Sequence, residues 1–156
     1  MAGESIKSGL TAGFAASAAV GALMVIKTRL GILPELNPIA DIVAIADRYT
    51  GLQFPPDTGW IGHFVIGAVG WGVIYTWIRK ILPGPAVVKG LTFGVLAWLV
   101  MMIVFMPVAG HGFFGLSLGI AAPAATFVLH LVFGAVLGAV YASTSSAAAI
   151  DNVTPA

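Results

Sequence analysis

The chain has little charge. Asp, Glu, Lys and Arg together make up 8% of its 156 residues, whereas 59% are hydrophobic. Soluble domains carry about 25% charged residues, so too few polar side chains are present to cover a water-soluble globule. The formal net charge is +1 and the sequence has no basic run, which gives no electrostatic basis for binding nucleic acid. The composition therefore predicts a protein whose partner is the lipid bilayer, with no nucleic-acid partner.

Cysteine is absent from the sequence. This absence excludes disulfides, thiolate nucleophiles, iron–sulfur clusters and cysteine-ligated zinc. The long apolar runs also lack acidic side chains, which disfavours a proton or cation relay built from carboxylates. No nucleophile–base–carboxylate set and no phosphate-binding glycine loop are present. We therefore expect a protein that is not an enzyme and has no catalytic residues.

Four continuously apolar runs, each free of Asp, Glu, Lys and Arg, match the roughly 20 residues that a helix needs to cross a bilayer. They lie at 8–26, 58–78, 90–108 and 121–141. Backbone groups in lipid must be hydrogen-bonded within the segment, which a helix achieves and an isolated strand does not. The sequence therefore predicts an all-α membrane protein with four transmembrane helices in a single membrane domain, 1–156.

Two segments outside these runs also have a predicted conformation. Asn37-Pro38 is a typical helix start, with Asn as the cap and Pro at the first position. Apolar residues at helical spacing follow it. We expect a short amphipathic helix at about 37–48 that lies on the membrane surface. The tail 143–156 begins with a stretch rich in Ser and Ala and is expected to be disordered.

The basic residues of the loops favour one orientation. The compact loop 79–89 contains Arg79, Lys80 and Lys89, and short loops rich in Lys and Arg stay on the cytoplasmic side. Because an even number of spans returns the chain to the side on which it starts, both termini are then cytoplasmic.

Two short sequence motifs each occur twice, once in each half of the chain. They are HFVIGAV from His63 and HLVFGAV from His130, and GLTAG from Gly9 and GLTFG from Gly90. We predict a duplication of one helix hairpin, with the first repeat at about 8–80 and the second at about 89–142. Two spans in each copy make the copies parallel, related by an axis along the membrane normal.

The repeated motifs place one histidine in each half of the chain, inside an apolar run. An ionisable side chain in a membrane span is costly and therefore indicates a functional role. A glycine follows each histidine after about one helical turn, Gly67 after His63 and Gly134 after His130. Because the copies are parallel, both histidines should lie in the same leaflet. His111, in the loop between the last two runs, should lie on that side as well.

Three interpretations of the histidine pair remain open. In a haem-b site, His63 and His130 would be the axial ligands and the two following glycines would leave room for the macrocycle. In a copper or zinc site, the neutral imidazoles of His63, His130 and His111 would bind the ion. In the third interpretation, each histidine hydrogen-bonds to a neighbouring helix or to interfacial water, and the duplication preserves packing.

Small residues at a spacing of four indicate helix-packing faces. They are Gly9, Gly13, Ser17 and Gly21 in the first run, and Gly134 and Gly138 in the fourth. Each face should meet a partner helix, either in this chain or in another subunit. On a small chain without catalytic residues, such faces favour a non-catalytic accessory or scaffold subunit of a larger membrane complex, or a homo-oligomer. The alternatives are a haem-b or metal-binding membrane protein and a small-solute or lipid transporter, since parallel repeats occur in transporters.

The pattern as a whole resembles small four-span bacterial inner-membrane proteins that are known as families of unknown function. The resemblance covers residues 8–142 and depends on the Gly9–Gly13 motif, the two histidine motifs and the segment MPVAGHGFFG at 106–115. It implies a multi-pass protein of the bacterial inner membrane. It supplies no activity, cofactor or site residue.

Overall fold

The computed structural model describes the backbone of residues 2–151 and the side chains of residues 6–146. Within this range the chain forms α1 (Ala2–Arg29), α2 (Pro38–Thr50), α3 (Thr58–Ile78), α4 (Ala86–Val108) and α5 (Ala121–Asp151), with a 3-10 segment at Phe113–Leu118. The described residues contain no strand. Four helices, α1, α3, α4 and α5, are long and apolar enough to cross a membrane. The prediction of an all-α protein with four long apolar helices is confirmed.

The last helix is longer than the apolar run that predicts it. α5 continues to Asp151, through the first part of the tail for which disorder was expected, while residues 152–156 lie outside the described residues. The hydroxyl groups of this region bond to carbonyl oxygens of the preceding turn, Thr144 to Val140 at 2.9 Å and Ser146 to Ala142 at 2.9 Å. Alanine, which is frequent here, has the highest helix propensity.

The two central helices of the bundle are α1 and α5. α1 packs on α3 and on α5, and α5 packs on α4. α3 and α4 then approach each other at Phe93, whose ring centroid lies 5.8 Å from that of Trp71 and 5.2 Å from that of Tyr75. This aromatic contact closes the bundle near the end of α3 and the start of α4.

Glycines allow the helix pairs to pack at very short distance. A Cβ atom built on Gly13 of α1 would lie 2.7 Å from the carbonyl oxygen of Gly67 in α3. In the second pair, a Cβ on Gly90 of α4 would lie 2.8 Å from the backbone nitrogen of Gly138 in α5. Real Cβ atoms do not approach so closely, so each position requires glycine. The small-residue faces of α1 and α5 therefore contact helices of the same chain.

The helix α2 turns its apolar face toward the bundle. Its start is capped by Asn37, whose side chain accepts a hydrogen bond of 3.3 Å from the backbone of Ala40, as expected for an N-cap residue. Ile39 is 8% exposed and lies directly against Gly59 at the start of α3. α2 thus covers the end of the bundle where α3 begins.

Candidate functional site

A cavity of about 200 Å³ lies between the helices, and each of the five helices contributes to its lining. The lining is mainly apolar, and its polar groups belong to His63, His130, Ser17, Thr126 and Trp71, whose indole carries an N–H. The histidines come from α3 and α5, which belong to the two predicted repeats. The structure therefore brings the two histidines selected from the sequence to a single cavity.

Two walls of this cavity depart from regular α-helix. α3 contains a π-helical segment at Val65–Trp71, and α4 contains one at Met101–Phe105. Both segments contribute side chains to the cavity, among them Trp71 and Met101. A π-helical turn is rare in proteins and is frequent at functional sites.

The imidazole of His63 is oriented by α1. Its Nε2 lies 3.1 Å from the carbonyl oxygen of Ser17, and a carbonyl oxygen accepts but does not donate, so Nε2 carries the hydrogen. In the neutral imidazole, Nδ1 is then a hydrogen-bond acceptor. The ring also contacts the edge of Trp60 at a centroid distance of 5.8 Å. The cavity thus includes an imidazole with a fixed tautomer.

The imidazole of His130 is fixed in the opposite tautomer. Its Nδ1 lies 2.8 Å from the carbonyl oxygen of Thr126, one turn earlier in α5. Nδ1 therefore carries the hydrogen, and Nε2 of the neutral ring is the acceptor. No hydrogen bond among residues 6–146 uses His130 Nε2 or His63 Nδ1. Each histidine therefore retains one acceptor nitrogen.

The hydroxyl group of Ser17 is the third polar feature of the cavity. Ser17 is fully buried, and within residues 6–146 its Oγ has no hydrogen-bond partner. The hydroxyl lies directly against Gly67, where a Cβ would collide with it. The sequence predicted Ser17 only as a helix-packing residue, and its contribution of a buried hydroxyl group to the cavity lining was not predicted. A hydroxyl within a stripe of glycines was the available signal.

One side of the cavity is open. Ile66 of α3 and Val100 of α4 both line it, yet they are 45% and 44% exposed. Both residues belong to predicted membrane spans, so this side faces lipid once the bundle is in a bilayer. At the end where α3 begins, Pro38 and Ile42 of α2 contribute to the lining.

His111 does not line the cavity. Its Nε2 lies 3.0 Å from Oδ1 of Asp41 in α2. Within the described residues, no group of three or more His, Asp or Glu side chains is arranged to hold a metal ion. The structure therefore brings together His63 and His130 but places His111 elsewhere. Metal binding by these histidines stays a prediction.

Neighbouring helices fill the space beside the two glycines that follow the histidines. Gly67 faces the Ser17 side chain, and Gly134 faces the backbone of Gly90 and Gly94. The space that a macrocycle would need beside these glycines is filled by α1 and α4. The cavity is also smaller than the roughly 300–1,000 Å³ of pockets for drug-sized ligands, and a haem is larger than most of these. This geometry does not fit a haem.

The four apolar helices make this chain an integral membrane protein. It belongs to a family of unknown function, DUF6789, whose model matches residues 3–152. No curated protein and no solved structure matches the chain.

Proposed function

We propose that this integral membrane protein binds a small uncharged molecule in the cavity between α3 and α4. The observation that carries the proposal is the convergence of two histidines and two π-helical segments on one cavity. Polar side chains inside membrane spans are costly and mark functional sites, and π-helical turns are frequent at such sites. These signals come from different helices, and they meet at one place.

The size of the cavity supports a small organic molecule. An apolar cavity of about 150 Å³ holds benzene, so about 200 Å³ accommodates one ring with a substituent. A single copper or zinc ion holds its ligands at about 2 Å and would leave most of this volume empty. An uncharged molecule is favoured because the described lining contains no Asp, Glu, Lys or Arg.

The accessory-subunit hypothesis loses its main support. It depended on small-residue faces available to a partner helix, but Gly13 meets Gly67 and Gly138 meets Gly90 within the chain. Transport of the bound molecule is the second candidate. It is favoured by the similar glycine contacts in the α1–α3 and α4–α5 pairs, which are expected of the parallel repeats found in some transporters.

Thermal unfolding in detergent tests the binding proposal. The probes are 4-methylphenol and 4-fluorotoluene, because each consists of one ring with two small substituents. We expect at least one probe to raise the Tm of the wild-type protein, since a ligand that binds the folded state stabilises it. Val100→Phe should fill the cavity and abolish the shift. Val104→Phe is the matched control, because Val104 is an exposed valine of the same helix that does not line the cavity.

Two results would overturn the proposal. One is the absence of a Tm shift with either probe, and the other is a shift that is equal in Val100→Phe and Val104→Phe, which would place binding outside the cavity. A visible spectrum and a metal analysis of the purified protein belong to the same experiment. A Soret band, or a stoichiometric metal lost in His63→Ala and His130→Ala, would favour the cofactor alternatives.

A further inference from the structure

The two imidazoles of the cavity are arranged to accept hydrogen bonds. His63 donates through Nε2 to one backbone carbonyl, and His130 donates through Nδ1 to another. Each neutral ring therefore keeps a lone pair on its second nitrogen. Neither of these nitrogens receives a hydrogen bond from residues 6–146. The cavity thus provides two acceptor nitrogens on rings whose donors are already used.

The Ser17 hydroxyl adds a group that can both accept and donate. It is buried and has no partner within residues 6–146, and an unsatisfied buried hydroxyl destabilises the folded protein because it has lost its bonds to water. Thr126 differs, because its hydroxyl already bonds to the carbonyl oxygen of Ala122 at 2.9 Å.

We infer that the cavity selects an apolar, ring-sized molecule that carries an O–H or N–H donor, such as a phenol. This inference rests on the proposed function and specifies the chemistry of its ligand. The acceptor nitrogen of His63 or that of His130 accepts the hydrogen bond from the ligand, and the mainly apolar walls contact the ring. A molecule of the same shape that offers only acceptors meets no available imidazole N–H.

The open side of the cavity gives this class of molecule a route. Ile66 and Val100 are both partly exposed, and both lie in membrane spans. A phenol is uncharged and partitions into lipid, so it reaches the cavity from within the bilayer, between α3 and α4. The molecule then does not need to pass between the loops to reach the cavity.

Two isosteric probes, only one of which has a hydrogen-bond donor, test the inference. 4-Methylphenol and 4-fluorotoluene have the same number of heavy atoms, but the first has a hydroxyl where the second has fluorine. Calorimetric titration in detergent, corrected by titration of protein-free micelles, gives the Kd for each probe. We expect 4-methylphenol to bind about twofold to thirteenfold more tightly, which corresponds to one net hydrogen bond of about 0.5–1.5 kcal/mol. The ratio should fall to near one in at least one of the two variants His130→Phe and His63→Phe, the one that removes the accepting nitrogen.

The control is Leu131→Phe, which introduces the same side chain beside His130 but at a position outside the cavity lining. It should retain the wild-type ratio. Equal binding of both probes by the wild-type protein would overturn the inference while leaving the binding proposal intact, and so would tighter binding of 4-fluorotoluene. Failure of both probes to bind would overturn both proposals. The comparison in the wild-type protein is decisive even if a histidine variant does not fold.

Discussion

Nε2 of His111 lies 3.0 Å from Oδ1 of Asp41 and joins the loop before α5 to α2. The other carboxylate oxygen of Asp41 is buried and has no hydrogen-bond partner within residues 6–146. Among the described side chains, His111 is therefore the one that hydrogen-bonds to this carboxylate. Since α2 contributes to the lining of the cavity, the pair links a loop of the second half to the cover of the site.

Removal of His111 should loosen α2 more than removal of the Asp41 charge. His111→Ala leaves a carboxylate that is only 16% exposed without its partner, which is costly, whereas Asp41→Asn retains an acceptor oxygen and removes the charge. We expect faster amide hydrogen exchange over residues 38–50 in His111→Ala than in Asp41→Asn. Asp57→Asn, at an exposed carboxylate outside α2, is the control and should match the wild type. Equal exchange in the two test variants would contradict this account.

Two glycines of α3 should respond in opposite ways to alanine. A Cβ on Gly72 would collide with the backbone of Gly9 in α1, whereas a Cβ on Gly70 has its nearest neighbour 4.0 Å away. Gly72→Ala should therefore destabilise the protein by about 1–3 kcal/mol, the usual cost of overpacking. Gly70→Ala should leave the stability unchanged or raise it by up to about 1 kcal/mol, because alanine is a better helix former. Tm in detergent measures both, and a lower Tm for Gly70→Ala than for Gly72→Ala would refute the packing geometry.

The two hydroxyl groups of the cavity should differ in their effect on stability. Ser17 Oγ has no partner within residues 6–146, so Ser17→Ala should keep or slightly raise the Tm of the ligand-free protein. Thr126 Oγ1 bonds to Ala122 and accepts from Nε1 of Trp98 at 3.2 Å. Thr126→Val should therefore cost about 0.5–1.5 kcal/mol. A larger loss for Ser17→Ala than for Thr126→Val would show that the Ser17 hydroxyl is bonded.

The absence of cysteine permits a direct test of orientation. Leu52→Cys and Ile81→Cys place single thiols at exposed positions in two loops, at residues 60% and 84% exposed. If both termini are cytoplasmic, a membrane-impermeant maleimide should label Leu52→Cys in intact cells and should label Ile81→Cys after lysis. The reverse pattern would invert the topology derived from the basic loop 79–89.

Much of the architecture could be predicted because it depends on composition along the chain. Four long runs without charge require four helices in a bilayer, and these form as α1, α3, α4 and α5. The end of α5 could not be predicted from the apolar run. There, the hydroxyl groups of Thr144 and Ser146 bond back to helix carbonyls, and such bonds depend on side-chain rotamers.

The candidate site was predicted in part. The cost of an ionisable group in lipid selected His63 and His130 from a sequence that offers few polar side chains. The residues following them were interpreted less well, since Gly67 and Gly134 face neighbouring helices rather than open space. Periodicity shows which residues share a helix face, but it does not show which helix packs against that face.

The order of apolar and charged residues is enough to identify a four-span helical membrane protein with two histidines in its spans, because hydrophobicity and charge are properties of individual residues. Helix packing brings the two histidines to one cavity, sets His111 apart from them beside Asp41, and fixes the tautomers of His63 and His130. These features depend on which helices pack together and on which carbonyl lies beside which ring nitrogen. Those relationships arise between residues far apart in the chain, such as Ser17 and His63.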